Sequence, residues 1–177
     1  NLVSLPLDVY DDTYGAVFTT SVGGTLYRFA GQYFSESQLS HGEGYWLFFD
    51  EGGTQEITGE CIDSLIVQLS HGWNLMGSLT YTIGISDVID LDEIIVPGTL
   101  YGFDGTYSST TQIEPGKGYW IYASQSGEVR LRGDAAGWVC GGGIDACTQH
   151  SDCNTGEFCH SGWNGMYMSI RECVTYT

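Results

Sequence analysis

Short runs in which apolar and polar residues alternate, separated by glycine-containing turns, recur along the first 134 residues of this chain. Residues 25–29 and 33–34 flank a short segment that contains Gly31, a pattern that predicts a β-hairpin. Residues 64–69 form another strand-like run, and no long stretch repeats its apolar residues at helical spacing. The pattern therefore predicts an all-β fold.

The remaining elements follow from the same reading of turns and apolar runs. Residues 8–24 are predicted to form a loop-rich connection, and residues 86–91 are predicted to start a short helical turn capped by Ser86. Pro6 is predicted to end the first strand or to mark a sheet edge. Strands are predicted at 1–7, 25–29, 33–34, 45–49, 55–58, 64–69, 99–103, 107–112, 119–123 and 128–132.

A tandem repeat organises this region. Residues 114–121 repeat residues 40–47 at an offset of 74, and the same offset aligns 24–27 with 98–101. An offset of 73 aligns 1–3 with 74–76. We therefore predict two tandem β-sandwich or barrel-like units, unit 1 at residues 1–60 and unit 2 at residues 61–134. Gly116 and Gly118 are predicted to meet a need for positive φ or for close strand approach.

The composition changes after residue 134, where cysteines become frequent and aliphatic residues scarce, so 135–177 is predicted to be a small disulfide-rich module. Zinc is the alternative, but the sequence has no Cys-x-x-Cys pair. If every cysteine is bridged within the chain, Cys61 must bond to one of the later five. All six are predicted disulfide residues: Cys61, Cys140, Cys147, Cys153, Cys159 and Cys173.

The charge of the chain limits which partners are expected, and its cysteines indicate where it is located. Five Lys and Arg against 22 Asp and Glu give a formal net charge of −17, which disfavours nucleic acid and anionic membrane surfaces. No apolar run is long enough to insert into a membrane. The start at Asn1 reads as a mature or excised product, and the cysteines predict an oxidising, extracellular or cell-surface location. The acidic surface suits solubility, with Ca²⁺ binding as the weaker alternative.

Candidate chemistry is sparse. The pairs Tyr45-Trp46 and Tyr119-Trp120 alternate faces, so one ring of each pair is expected in the core and the other outside, either stacking on a sugar or packing on a neighbour. The carboxylates at 8, 11 and 12 read as a solvated turn rather than a metal site, and the four histidines are scattered. No catalytic motif is present, so no enzyme, resident metal or cofactor is predicted.

Residues 72–76, 98–101 and 115–121 resemble a repeat of secreted bacterial and archaeal surface proteins, with its Gly-Trp-Asn-Leu opening and Pro-Gly-x-Gly-Tyr-Trp close. Unit 1 departs from the pattern, because it lacks the Gly-Trp opening and has His41-Gly42-Glu43-Gly44 in place of the Pro-Gly form. The resemblance implies an extracellular β module of envelope or appendage proteins without family-wide catalytic residues. Residues 153–159 resemble short Cys-rich modules of secreted proteins.

One asymmetry between the units leads to a functional prediction. A strand and a turn precede residues 73–75 in unit 2, whereas unit 1 begins directly at Asn1, so unit 1 is expected to have an open sheet edge. A strand from a neighbouring subunit would close it, with 174–177 or 1–7 as the donor. The sequence thus predicts a non-enzymatic structural protein that self-associates into a surface fibre or pilus-like filament.

Two rival functions follow from the same residues. One is a carbohydrate-binding or adhesion module of a larger surface protein, in which the missing strand precedes Asn1 in the parent chain and an outward aromatic platform binds glycans. The other is a secreted hydrolase that uses a surface carboxylate pair, for which no particular pair is indicated.

Overall fold

The computed structural model describes residues 1–133 and the backbone of one further strand, Glu172–Tyr176. Across these residues the chain is almost wholly β, and the predicted all-β class is confirmed. The exceptions are a four-residue helix, α1, at Tyr14–Val17 and a 3-10 turn at Ile85–Asp87. The predicted cysteine-rich module lies outside the described residues except for its last strand.

The strands are numbered in chain order, seven in unit 1 and at its boundary, eight in unit 2, and one at the end of the chain. In the first group β1 is Leu2–Ser4, β2 Leu7–Asp8, β3 Tyr27–Phe29, β4 Tyr33–Ser35, β5 Gly44–Trp46, β6 Gly53–Ile57 and β7 Glu60–Cys61. In the second group β8 is Ser64–Leu69, β9 Gly72–Met76, β10 Ile83–Gly84, β11 Tyr101–Asp104, β12 Thr106–Ser109, β13 Gln112–Ile113, β14 Tyr119–Ala123 and β15 Gly127–Arg132. The final strand, β16, is Glu172–Tyr176.

The main sheet of unit 1 is antiparallel, in the order β1-β5-β3-β4. Trp46 on the central strand β5 lies opposite Leu2 on one side and Tyr27 on the other. Two smaller ladders accompany this sheet, β2 with β7 and β6 with β16. Side chains alternate along β5, so Tyr45 points into the core while Trp46 points away from it.

The main sheet of unit 2 repeats this arrangement in the order β12-β11-β14-β9. Trp120 on β14 lies opposite Leu75 and Tyr101, as Trp46 lies opposite Leu2 and Tyr27. The smaller ladders are β8 with β15 and β10 with β13. The aligned strands of the sequence repeat therefore hold the same places in both sheets.

Each sheet covers its own buried core. The first cluster runs from Val3 to Ile57 in sequence, and Cys61 packs against it although the sequence boundary placed Cys61 in unit 2. The second cluster runs from Val67 to Leu131. Burial of these apolar side chains contributes roughly 25 cal/mol per Å² removed from water, so each cluster is the main source of stability for its own sheet.

Hydrogen bonds outside the strands repeat between the units as well. The Thr25 hydroxyl donates to the Val22 carbonyl at 2.6 Å, and the Thr99 hydroxyl donates to the Val96 carbonyl at 2.7 Å. Each threonine and its acceptor are aligned by the offset of 74. Because the loops as well as the strands correspond, the two copies share one local scaffold.

The units meet along a seam at which each contact occurs twice. Val3 forms a β-bridge with Lys117, and Met76 forms a β-bridge with Glu43. The repeat aligns Val3 with Met76 and Glu43 with Lys117. Exchanging the units converts one bridge into the other, so the two units are related by an approximate twofold axis.

Glycines allow this close approach of the two backbones. Gly116 has a φ of 73°, and its carbonyl accepts the Ser4 N–H at 2.9 Å. A Cβ on Gly118 would stand 2.9 Å from the Val3 carbonyl oxygen, and a Cβ on Gly44 would stand 2.7 Å from that of Met76. Positive φ and close approach, the two roles predicted for Gly116 and Gly118, are thus divided between them.

One local prediction was wrong. Residues 8–24 are mostly irregular with α1 among them, and Phe18, directly after α1, is fully buried in the first core. The turn near residue 86 is not capped by Ser86. It is a 3-10 turn preceded by Gly84, whose N–H donates to the Asp87 carboxylate at 3.0 Å. A carboxylate three residues on accepts this bond, so the turn needs no hydroxyl cap.

The seam predicts a large difference between two glycine substitutions. We expect Gly44→Ala to lower the free energy of unfolding by about 1–3 kcal/mol, because its methyl group collides with the Met76 backbone across the seam. Gly23→Ala is the control, since no atom lies within 4 Å of a Cβ built there. Urea unfolding of both variants measures the difference, and equal stabilities would contradict the close approach.

Candidate functional site

The strongest candidate for a functional surface is the edge at which β6 is completed. β6 pairs with β16 along all five of its residues, from Gly53 opposite Tyr176 to Ile57 opposite Glu172. In unit 2 the aligned strand β15 pairs with β8, from Gly127 opposite Leu69 to Leu131 opposite Leu65 and one pair beyond. Both units therefore carry a closing strand on the same edge.

The register of the two closing strands is the same. The offset of 74 aligns Gly53 with Gly127, which puts Tyr176 at the position of Leu69. Val174 likewise stands at the position of Val67, whose side chain is only 6% exposed. β16 therefore substitutes for β8 residue by residue, although it lies at the other end of the chain.

The two closing strands differ in how they are connected. β8 leads into β9 through a short turn, whereas β16 follows β6 only after residues 58–171. Asn1 corresponds to Asn74, so Tyr176 at the end of β16 and Asn1 just before β1 stand at positions that unit 2 joins through residues 70–73. The Asn1 amino group donates to the Leu47 carbonyl at 2.8 Å, and burial lowers its pKa.

Cys61 follows the end of β6 by four residues. It is disulfide-bonded and half-buried, and its Sγ is 3.0 Å from the Tyr81 hydroxyl. Its strand, β7, pairs with β2 of unit 1 through Leu7 opposite Cys61. The side chains of Cys140, Cys147, Cys153, Cys159 and Cys173 lie outside the described residues, and their predicted pairing stays a prediction.

The tyrosines of the Tyr-Trp pairs point into the two cores. Tyr45 is 1% exposed, and its hydroxyl accepts the Ser40 N–H at 2.9 Å and donates to the Glu43 carboxylate at 3.1 Å. Tyr119 is 2% exposed, and its hydroxyl accepts the Glu114 N–H at 2.8 Å. Burial, followed by the nearby Glu43 charge, raises the pKa of Tyr45 to about 12, and burial raises the pKa of Tyr119 to about 12.

The tryptophans of the pairs point away from their own cores and pack on the other unit. Trp46 meets Phe103 with ring centroids 4.8 Å apart and planes at 71°, and Trp120 meets Phe29 at 4.8 Å and 74°. The repeat aligns Phe29 with Phe103, so these edge-to-face contacts are twofold equivalents. The outward rings were expected either to stack on a sugar or to pack on a neighbour, and both tryptophans pack on the neighbouring unit.

A groove of about 670 Å³ opens between the units. Arg28, His41 and Glu43 of unit 1 line one side of it. The β8–β9 hairpin lines the other side with Gln68, His71 and Trp73 among its residues. Its volume lies in the range of ordinary small-molecule sites. The groove combines charged, amide and aromatic groups.

Trp73 is the most exposed large ring in the groove, at 45%. Three aromatic residues fix its orientation: Tyr122 at 5.4 Å, Tyr101 at 6.0 Å and Trp120 at 6.4 Å between ring centroids. The neighbouring Asn74 side chain bonds to the backbone of Ser70: its amide nitrogen donates to the Ser70 carbonyl at 2.8 Å, and its oxygen accepts the Ser70 N–H at 2.8 Å. A held, half-exposed indole is suited to contact with a planar or ring-shaped ligand.

The acidic cluster after β2 is used within its own turn. Asp11 accepts hydrogen bonds from the Thr13 hydroxyl at 2.7 Å and N–H at 3.0 Å, which lower its pKa, and Asp12 accepts from the Gln38 amide at 2.9 Å. In the part of the chain that the structure describes, no group of three or more His, Cys, Asp and Glu side chains could hold a metal ion.

The two histidines among the described residues make different contacts. The His41 ring lies 3.1 Å from the Leu7 carbonyl, and His71 packs on Tyr122. His150 and His160 lie outside the described residues. Among residues 1–133 and 172–176, no helix is long and apolar enough to cross a membrane.

Comparison of the chain with family models, curated proteins and solved structures finds no match. The resemblance to repeats of secreted surface proteins therefore stays a prediction, and the function must be argued from the geometry alone.

The prediction that unit 1 has an open sheet edge was wrong for the single chain, because β16 covers β6. Donation of residues 174–177 to a neighbouring subunit stays a prediction, and the groove was not predicted. The groove forms from segments of both units, so no local motif marks it. The one available signal was Trp73, which the alignment of residues 74–76 with 1–3 leaves unmatched in this sequence.

The buried tyrosines predict a loss of stability at high pH. Tyrosine ionises at pH 10 in the unfolded chain but at about pH 12 in the core, so the stabilising contribution is complete below pH 10 and is lost as pH rises toward 12. Urea unfolding between these pH values is expected to show the decline, with a shallower slope for Tyr45→Phe. The exposed Tyr33→Phe is the control and should leave the slope unchanged; a wild-type curve without decline would contradict the assignment.

Proposed function

We propose that this chain is a non-enzymatic, extracellular structural protein, the subunit of a surface fibre or pilus-like filament that assembles by β-strand complementation. The observation that carries the proposal is the closing of β6 by a strand from the far end of the chain, in the register that unit 2 uses for its own β8. A closing strand with this connection is separable from the unit that it completes.

The energetics of a sheet edge support this function. An exposed edge presents unpaired N–H and C=O groups, which recruit another chain if no strand covers them. In unit 2 the covering strand belongs to the adjacent hairpin and cannot leave without disrupting β9. In unit 1 the covering strand is separated from β6 by residues 58–171 of the sequence, so it can be supplied by another copy of the chain.

Composition supports an extracellular setting for such a filament. The six cysteines favour an oxidising compartment, and Cys61 is disulfide-bonded. The formal net charge of −17 opposes nonspecific clustering of subunits, so association depends on a directional contact such as a strand ladder.

Proline substitution in β16 tests the filament. Successive N–H groups of a strand point in opposite directions, so either Val174→Pro or Thr175→Pro must remove a donor that faces β6. We expect at least one of the two variants to abolish filaments seen by electron microscopy of the otherwise unaltered chain.

The matched control is Thr175→Val, which keeps the N–H group and a β-branched side chain. Thr175 pairs with the exposed Thr54, so Thr175→Val should assemble like wild type. Size-exclusion chromatography run beside the microscopy distinguishes loss of assembly from loss of folding. A wild-type protein that stays monomeric and forms no filaments in its native state would overturn the proposal.

A second candidate is carbohydrate binding, and the groove beside Trp73 favours it. The indole offers a half-exposed ring held by three aromatic neighbours, with Gln68 and Glu43 among the polar groups that line the same groove. Sugar rings present C–H groups to an aromatic face and hydroxyls to polar groups, which is the combination found here. Filament formation and glycan binding are compatible on one subunit.

Trp73→Ala tests the second candidate. If the groove binds glycans, this variant is expected to lose binding to soluble neutral oligosaccharides by tenfold or more in a titration calorimetry series, because the stacking surface is removed. Phe48→Ala is the control, since Phe48 is a more exposed ring, at 56%, and does not line the groove. Equal binding by both variants, or no binding by the wild type, would exclude this site.

A further inference from the structure

The pairing of β16 with β6 carries an inference about how subunits are joined, and it depends on the proposed filament function. We propose that β16 of one subunit lies on β6 of the next subunit in the register observed here, with Thr175 opposite Thr54. The partner of the β6 edge is therefore the last strand of a second copy of this chain.

The ladder itself is indifferent to which copy provides the strand. Its backbone hydrogen bonds join Gly53–Ile57 to Glu172–Tyr176, and the same bonds form whether the two segments belong to one molecule or to two. What distinguishes the two cases is the path between Gly133 and Glu172, a segment of 38 residues. A chain spans at most about 3.3 Å per residue, and 38 residues are enough in length for either connection.

The register determines the direction of assembly. In unit 2, the end of β8 is followed by the turn that leads into β9. In the exchanged arrangement the end of a donated β16 therefore points toward Asn1 and β1 of the accepting subunit, since Tyr176 stands at the position of Leu69 and Asn1 at that of Asn74. The tail end of one molecule meets the leading end of the next.

This arrangement gives each subunit one donor and one acceptor. Among the described strands, β15 of unit 2 is already paired with the adjacent β8, whereas unit 1 offers β6. Donor and acceptor are different surfaces of the molecule, so the contact is heterologous and extends head to tail. Exchange at this edge therefore produces a polar, linear chain of subunits.

Thiol cross-linking across the ladder tests the exchange. Directly opposed residues in an antiparallel pair have Cβ atoms about 4.5–5.5 Å apart, within reach of a short bis-maleimide. Filaments are assembled from a mixture of two full-length chains of distinguishable mass, one carrying Thr54→Cys and the other Thr175→Cys. The expected product is a covalent dimer that contains one chain of each kind.

The controls use the same reagent and positions. Filaments of either single variant alone should give no dimer, and replacing Thr54→Cys by Asp50→Cys, an exposed position four residues earlier, should remove the mixed dimer. The double variant Thr54→Cys/Thr175→Cys is expected to give a ladder of covalent oligomers on a denaturing gel.

The outcomes separate this inference from the proposed function. A double variant that forms filaments but cross-links only within each chain means that β16 stays on its own molecule, which overturns the inference and leaves the filament. Filaments without any cross-link overturn the register. Absence of filaments from both wild type and variants instead refutes the proposed function, and the exchange with it.

Discussion

The pairing of the β6 backbone is the constraint on which the rest of this molecule depends. A sheet edge presents its N–H and C=O groups in a row, and the core beneath it stays dry only if the edge is covered. Two edges are covered in the same register, β15 by β8 and β6 by β16. The two covering strands differ in their connection, because β8 runs directly into β9 whereas β16 follows β6 only after residues 58–171.

The seam between the units gives this edge a stable support. Twofold-equivalent bridges at Val3 and Met76 join the backbones, and edge-to-face contacts of Trp46 and Trp120 fill the space around them. Glycines at 44 and 118 allow an approach that any side chain would prevent. A ladder formed on unit 1 is therefore joined to unit 2 through main-chain contacts and packed rings.

The sequence predicted the strands and the repeat because both leave periodic signals. Alternation predicted that one ring of each Tyr-Trp pair lies inside and the other outside, and the structure puts Tyr45 and Tyr119 inside. The repeat offset predicted which residues are equivalent. It could not predict α1, because four residues are too few for helical periodicity, and it could not predict the groove at Trp73, which depends on how two units pack rather than on either unit alone.

The identity of the strand that covers β6 is a different kind of problem. Residues 174–177 could be named as a donor because the repeat aligns residues 1–3 with 74–76 and leaves β8 without a match in unit 1 of the sequence. The choice between the same chain and a neighbouring chain has no local signal, since both form the same hydrogen bonds. The choice depends instead on two concentrations: the effective concentration of a subunit's own β16 at its β6, and the concentration of other subunits. Crowding of subunits at a site of assembly raises the concentration of other subunits and leaves the effective concentration of the subunit's own strand unchanged. The proposed exchange is therefore expected only where subunits are delivered together, and a closed molecule is expected in dilute solution.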